Sequence, residues 1–296
     1  MSPHFPRGKP RRGTGNTLRP LPRPAARVYT LQSMTMLDPA NARRYARQTA
    51  FEGLGADGQR RLLAARVLLV GVGGLGSWTA ELLARAGLGR LRIADADVVE
   101  LANLHRQALY DESDAQRRRP KVHAAADRLR CINADLAVEP VAERVEAGNI
   151  ARLAEGVDVI LDGTDNFAAR LLINDYCVRA GVPWVFAGVV GAEGQVMTIL
   201  PGRTACLRCL HEGRPTDAEE LAPQAMGVLG PAVATVAAFQ AAEAMKLLAG
   251  RLDAVSPWLT KVDLWRNTVR SIAIGPDTRD PSCVCCGRRR FEHLEP

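Results

Sequence analysis

The residues with the most definite chemistry in this chain are four cysteines in two spaced pairs, Cys206-Leu-Arg-Cys209 and Cys283-Val-Cys-Cys286. Two such C-x-x-C pairs in Gly/Pro-flanked turns supply a tetrahedral set of thiolates, the donors of a closed and therefore structural zinc site. A redox pair of the thioredoxin type needs no second pair. No secretory signal is recognisable, so metal is favoured over disulfides and the expected compartment is the reducing cytoplasm. Cys285, inside the second pair, is a spare thiol able to exchange as a ligand.

A second constellation is anionic. Asp162-Gly-Thr-Asp165-Asn166 follows an apolar run at 157–161, with Arg170 one turn further on. Two carboxylates at the carboxyl end of a strand, facing a glycine phosphate loop, are what Mg²⁺ with a triphosphate requires. An Asp-Asn pair that merely caps a helix is the plain alternative, and the facing loop outweighs it. That loop is Gly71-Val-Gly73-Gly74-Leu-Gly76, which fits G-x-G-x-x-G. The apolar run before it, 67–70, reads as a strand buried on both faces; Leu75, Leu82, Leu83 and Ala86 then recur at helical spacing until Gly87. Such a turn brings backbone N–H groups and a helix N-terminus against a phosphate, with no Cβ in the way.

Further polar residues fall where open α/β sheets bind ligands. A second strand at 91–94 ends in Asp95-Ala-Asp97, and Asp95 is spaced from the glycines as a ribose-binding carboxylate would be. Asn103-Leu-His-Arg106-Gln107 follows. Arg106 offers a planar fork of donors for phosphate oxygens, and Asn103 and Gln107 can bond a base, ribose or phosphate. His105 reads as structural. Pro120 opens a helix as its first residue, and Lys121 points its charge back toward the same crevice.

These residues need a scaffold, and the apolar patterning supplies one. Further strands are expected within 138–145, at 182–190 and, as an added antiparallel strand, at 194–201. A short basic helix over 42–50 carries Arg47 and leads through a glycine-containing link to the first strand. A polar loop at 211–226 precedes a long helix beginning near Pro231, with Val233, Val236, Ala237, Gln240, Ala244, Leu247 and Leu248 along its buried face. A closing hairpin is expected at 258–264 and 268–274. The fold class is α/β: a Rossmann-like, doubly wound, mostly parallel sheet extended by antiparallel strands, with a structural Cys₄ zinc site.

Charge looks at first like a nucleic-acid signal, at a formal +7. Its position removes that reading. Residues 1–37 hold seven basic side chains and no acidic one, leaving 32 of each sign in the remainder. A nucleic-acid surface on the body is therefore not expected. Those first residues, rich in Pro, Arg and Gly without a periodic apolar face, read as a disordered tail. No apolar run reaches membrane-spanning length.

Taken together, Arg-Tyr-Ala-Arg-Gln at 44–48, the glycine loop, Asp-Ala-Asp, Asn-Leu-His-Arg-Gln, Pro-Lys, Asp-Gly-Thr-Asp-Asn, both cysteine pairs and Gly-Val-Leu-Gly-Pro at 227–231 resemble the ThiF/MoeB/HesA family. These are relatives of the ubiquitin-activating enzymes. The resemblance covers about residues 38–290 as a single adenylation domain, with an ATP-binding core at about 64–190 and a carrier-binding and zinc part at about 191–290. It implies ATP rather than NAD. Gly71, Gly73, Gly74 and Gly76 would lie at the phosphates and Asp95, with Asp97 beside it, at the ribose. Asn103, Arg106, Gln107 and Lys121 would hold base, ribose and phosphates. Asp165 would be the Mg²⁺ ligand and main catalytic carboxylate, with Asn166 beside it. Arg47 would reach into the partner subunit's site, which implies a homodimer, and Cys206, Cys209, Cys283 and Cys286 match the zinc ligands. The implied substrate is a ubiquitin-like sulfur-carrier protein ending in Gly-Gly, adenylated at its C-terminal carboxylate for sulfur transfer in molybdenum cofactor or thiamine biosynthesis.

One position departs from many members of that family, which carry a cysteine shortly before Gly-Val-Leu-Gly-Pro. Pro223 stands about there. The expectation is therefore adenylation without an enzyme thioester, as in the molybdopterin-synthase branch, with sulfur arriving from another protein. Three other readings compete. An NAD-dependent oxidoreductase explains the glycines and Asp95 and leaves the remaining motifs without a role. A tRNA-modifying dehydratase of the same superfamily sits poorly with a neutral body and a zinc site. A non-catalytic partner subunit would have lost nucleotide-site residues, and none of the matched ones is lost.

Overall fold

The computed structural model describes residues 37–210 and 227–295. The N-terminal tail and the loop at 211–226, Pro223 with it, lie outside the described residues. The described residues belong to one compact unit. In chain order the helices are α1 (Pro39–Arg44), α2 (Ala46–Thr49), α3 (Gly55–Ala64), α4 (Gly74–Ala86), α5 (Glu112–Gln116), α6 (Lys121–Ile132), α7 (Ile150–Leu153), α8 (Phe167–Ala180), α9 (Leu207–Leu210) and α10 (Gly230–Leu248). The strands are β1 (Arg66–Val70), β2 (Arg90–Ala94), β3 (Ala137–Val141), β4 (Val159–Asp162), β5 (Trp184–Val190), β6 (Glu193–Ile199), β7 (Trp258–Asp263) and β8 (Thr268–Ala273).

The strands form one sheet in the order β3-β2-β1-β4-β5-β6-β7-β8. β3 through β5 run parallel, and β5 to β8 pair antiparallel, as the sequence predicts. β1 is central because its residues suit burial on both sides: Val67 to Val70 are all buried. Chain order runs outward from β1 to β3 and then returns to β4 on the other side. That reversal leaves a crevice at the carboxyl ends of β1 and β4, where such sheets take their ligands.

Two apolar layers clamp the sheet. On one face Leu83 and Ala84 of α4, Val122 and Leu129 of α6 and Val236 and Ala244 of α10 share a core with Leu69 and Leu91. On the other, Ile173 and Cys177 of α8 pack with Leu68, Ile160 and Phe186, and with Cys206, Cys283 and Phe291 around the cysteine pairs. Gly87 ends α4 at φ +89°, with its N–H on the Ala84 carbonyl and that of Leu88 on Leu83. That is a Schellman cap, which glycine adopts without a Cβ penalty.

Three local expectations change. The link before β1 is the helix α3, in which Leu62 and Gln59 are fully buried; Gly55 and Gly58 concealed its periodicity. The basic helix at 42–50 is two short helices broken at Tyr45, whose side chain turns inward and is 2% exposed. Pro120 is the N-cap of α6 rather than its first helical residue. Among the described residues, no helix is long and apolar enough to cross a membrane.

Candidate active site

The glycine loop is shaped by close contacts, and two of its glycines are required by them. Gly71 has φ +83°, and a Cβ there would lie 2.7 Å from the Gly163 carbonyl oxygen. A Cβ on Gly76 would collide with the Gly71 carbonyl. Gly73 differs: a Cβ would meet only the Gln107 amide, at 3.6 Å, so its backbone faces open space at the start of α4. The first and third glycines let the loop fold against the turn after β4. The second leaves room for a ligand at an N-terminus whose unpaired N–H groups favour an anion.

The peptide between them is held on both sides. Asp95 accepts from the Val72 N–H at 2.8 Å, and the Tyr110 hydroxyl donates to the Val72 carbonyl at 2.7 Å. Asp95 also accepts from the Asp97 N–H at 2.8 Å, so each carboxylate oxygen is anchored and each keeps a lone pair for a hydroxyl. Burial pushes the Asp95 carboxyl up from its ordinary value, while the Lys121 charge pulls it down. Lys121 is itself buried, its Nζ 2.9 Å from Asp97 Oδ2.

Opposite stands the polar cluster. Arg106 donates to Asn103 Oδ1 at 2.8 Å and lies 2.9 Å from His105 Nε2, while Trp78 donates to the Arg106 carbonyl at 3.2 Å. His105 lies on the cleft wall as a neighbour of Arg106, a partner that the sequence does not announce. Gln107 is 4% exposed, and its Oε1 is buried with no hydrogen-bond partner among the described residues. A buried acceptor left bare costs about 1–3 kcal/mol, which a donor on a bound ligand would recover.

The two carboxylates after β4 separate into different roles. Asp162 is fully buried: Oδ1 accepts from the Thr164 N–H and hydroxyl at 2.9 and 2.7 Å, and Oδ2 pairs with Arg170 Nε at 3.3 Å. Burial pushes its carboxyl up, against the pull of Arg170. Asp162 is therefore an internal brace and not the second Mg²⁺-facing carboxylate that the sequence predicts. Asp165 is exposed, lines the cleft, and makes no hydrogen bond or ion pair among the described residues. Asn166 caps α8 through the Ala169 N–H at 2.9 Å, so the capping and ligand readings fall on adjacent residues.

Gly71, Gly73, Gly74, Asp95, Asp97, Asn103, Arg106, Gln107, Lys121, Asp165 and Asn166 all line one cleft of 840 Å³. Gly76 supports it from behind. Arg47 is not brought in: it is exposed on α2 and is absent from the cleft lining of its own chain. Sequence reasoning missed Tyr110 and the structural part of Gln240. Gln240 is fully buried on α10 and donates to the carbonyls of Asp162 and Val185 at 2.7 and 2.9 Å, fixing the ends of β4 and β5. A lone glutamine in an otherwise small and apolar helix face was its signal.

Outside the cleft, the sulfurs of Cys206, Cys209, Cys283 and Cys286 all lie within 4.8 Å of one another. Neighbouring pairs are 3.3, 3.7 and 3.9 Å apart. Zinc–sulfur bonds of about 2.3 Å in a tetrahedron need sulfurs about 3.8 Å apart, so the four residues fit the ion. Cys285 is not part of the group; it is buried, and its Sγ takes the Asn174 amide at 3.2 Å.

Comparison with known proteins gives the family. A model of the ThiF family matches residues 45–285. The chain belongs to the ThiF family. The sulfur carrier protein ThiS adenylyltransferase of Bacillus subtilis is 41% identical over 251 residues, covering 85% of this chain and 73% of that protein. The molybdopterin-synthase adenylyltransferase of Escherichia coli is 38% identical over 247 residues, covering 83% and 96%. Among solved structures, E. coli MccB with ATP aligns at a TM-score of 0.71 and 25% identity, covering 82% of this chain and 74% of that one. In this chain the glycine loop, Asp95 and Asp165 line one cleft.

Proposed function

We propose that this chain adenylates the C-terminal carboxylate of a ubiquitin-like sulfur-carrier protein. The observation that carries the reading is the juxtaposition, in one cleft, of an open helix N-terminus at Gly73 with the Gln107 acceptor and the Asp165 carboxylate, both without a partner among the described residues. A dinucleotide oxidoreductase would leave Asp165 and the Asn103–Gln107 cluster idle. Relatives named as carrier adenylyltransferases, and MccB solved with ATP, support a nucleotide triphosphate in that cleft and a carrier terminus beside it.

In this reading the carrier's carboxylate attacks the α-phosphorus of ATP. The bond to the bridging oxygen breaks, pyrophosphate leaves and an acyl-adenylate remains. A carboxylate is already a nucleophile at neutral pH, so no general base is needed and catalysis rests on alignment and charge neutralisation. Asp95 bonds the ribose, the first turn of α4 takes phosphate oxygens, and Lys121 and Arg106 bring positive charge to them. Asp165 would hold Mg²⁺, which supplies further neutralisation of the triphosphate when bound. Arg47 would come from the second subunit of a homodimer, and the molybdenum cofactor pathway, with thiamine beside it, is the pathway we assign in the cytoplasm.

ATP–pyrophosphate exchange with each Gly-Gly-terminated carrier of the same cell tests this. Exchange should depend on one carrier and so name the pathway. Exchange with none, while ATP still binds, overturns the carrier assignment.

The cysteine cluster would hold one structural zinc per chain. Metal analysis of protein purified without chelator should find it, and stripping it should lower Tm by roughly 10 °C, from about 4 kcal/mol lost at ~2–4 °C per kcal/mol. A metal-free protein of unchanged Tm would remove zinc from the account.

A further inference from the structure

The strand order gives the cleft a direction. Across the sheet its rim is formed in turn by the segment after β3, Asp95 after β2, the glycine loop after β1, and Asp165 after β4. With phosphates at the glycine loop and ribose at Asp95, the base must lie beyond Asp95, toward the segment after β3. There Val145 and, from α8, Ala168, Ala169 and Leu172 line the cleft, and Val145 and Leu172 share one core, so that end is a slot with apolar residues in its lining. The Val145 side is rigid. Asn149 takes the Glu146 N–H at 2.9 Å and donates to the Arg144 carbonyl at 2.8 Å.

The slot has a third wall, and it comes from the far end of the sequence. His293, seven residues past the last of the four clustered cysteines, lines the same cleft. Its placement is over-determined. The His293 N–H donates to the buried Asp175 carboxylate of α8 at 3.1 Å. Its Nε2 lies 2.9 Å from Arg208 Nη1, and because arginine has only donors, Nε2 is the acceptor. Phe291 and Leu294, on either side, are buried in the core that also holds the cysteines. Arg208 is itself buried and pairs with Glu292 at 3.2 Å. A segment anchored at this many points is a built wall of the cleft.

We infer that the C-terminal segment, through His293, closes the base end of the nucleotide cleft and limits the size of the purine it accepts. This rests on the proposed nucleotide reading. His293 acts as a specificity-determining contact with the base, and the slot ends where the imidazole stands. Removing the ring opens the end of the slot without touching the groups at the phosphates.

The test uses the full-length protein with His293→Ala and His293→Gln. ATP and a panel of purine-enlarged ATP analogues, substituted at N6, C2 or C8, are compared by direct binding and in carrier-dependent pyrophosphate exchange. Wild type should bind ATP and reject at least one enlarged analogue. His293→Ala should bind ATP about tenfold more weakly, through KM with kcat nearly unchanged, and should accept that analogue at least tenfold better than wild type does. His293→Gln should lie between. Metal content and Tm, measured alongside, separate this from loss of fold. Unchanged ATP affinity and an unchanged analogue profile in a folded His293→Ala protein overturn the inference and leave the adenylation reading standing. Failure of wild type to bind ATP overturns the nucleotide reading itself.

Discussion

Asp165→Ala should abolish most carrier adenylation, by ~10²–10³-fold, the scale on which one preorganised charge at a developing anion contributes. The loss should appear in kcat and leave the fold intact. The structural reason is the separation of the two carboxylates after β4. Asp162 is spent on Thr164 and Arg170 inside the protein, so no second carboxylate of that turn can substitute. Asp165 is exposed and has no side-chain partner among the described residues, so its removal leaves neither a cavity nor a stranded partner there, and the stability change should stay within about 0.5 kcal/mol. Asp162→Ala should behave in the opposite way, leaving the buried Arg170 guanidinium without its carboxylate and held by the Thr164 and Ala187 carbonyls and the nearby Phe167 and Phe186 rings. Pyrophosphate exchange and thermal melting of the Asp165 variant settle the assignment together. Near-normal exchange would remove Asp165 from the chemistry, and a collapsed Tm would make it a structural residue.

How legible this site was in the sequence depends on how local each cause is. β1 and the glycine loop were readable because continuous apolar residues and a cluster of small ones impose their conformation over a few positions. The antiparallel extension was readable for the same reason, since 258–263 and 268–273 are β-rich runs separated by a short turn. α3 was not, because Gly55 and Gly58 lower helix propensity, and Leu62, Gln59 and the close approach of Gly58 to Ala249 compensate only in three dimensions. The division of labour between Asp162 and Asp165 was equally hidden. Both are aspartates at one strand end, and burial beside Arg170 is what distinguishes them. Tyr110 and His293 act across long stretches of sequence, on Val72 and on the cleft wall, and no spacing rule announces them. The four cysteines were legible at long range because the same C-x-x-C spacing, one that suits metal ligands, occurs twice, and the fold brings the two pairs together.

Arg47→Ala should cost ~10³–10⁵-fold in exchange, the range for loss of an arginine finger in phosphoryl transfer. The single variant cannot say from which chain that arginine acts. Mixing can. Arg47 is exposed and lies outside the cleft lining of its own chain, so its stated role requires a second chain to receive it. In a two-fold dimer of that kind each site combines Asp165 of one subunit with Arg47 of the other. Arg47→Ala and Asp165→Ala chains, combined by co-expression or by refolding together, then form a mixed dimer in which one site carries both defects and the other carries neither. Random pairing makes half of the dimers mixed, so about one quarter of wild-type exchange should return from two inactive proteins. If Arg47 served its own subunit, every site in the mixture would retain one defect and nothing would return. Recovery near a quarter therefore establishes the dimer and the shared site in one experiment. Absence of recovery, with both proteins folded and demonstrably mixed, would confine Arg47 to its own chain and leave Lys121 and Arg106 as the side-chain cations at the phosphates.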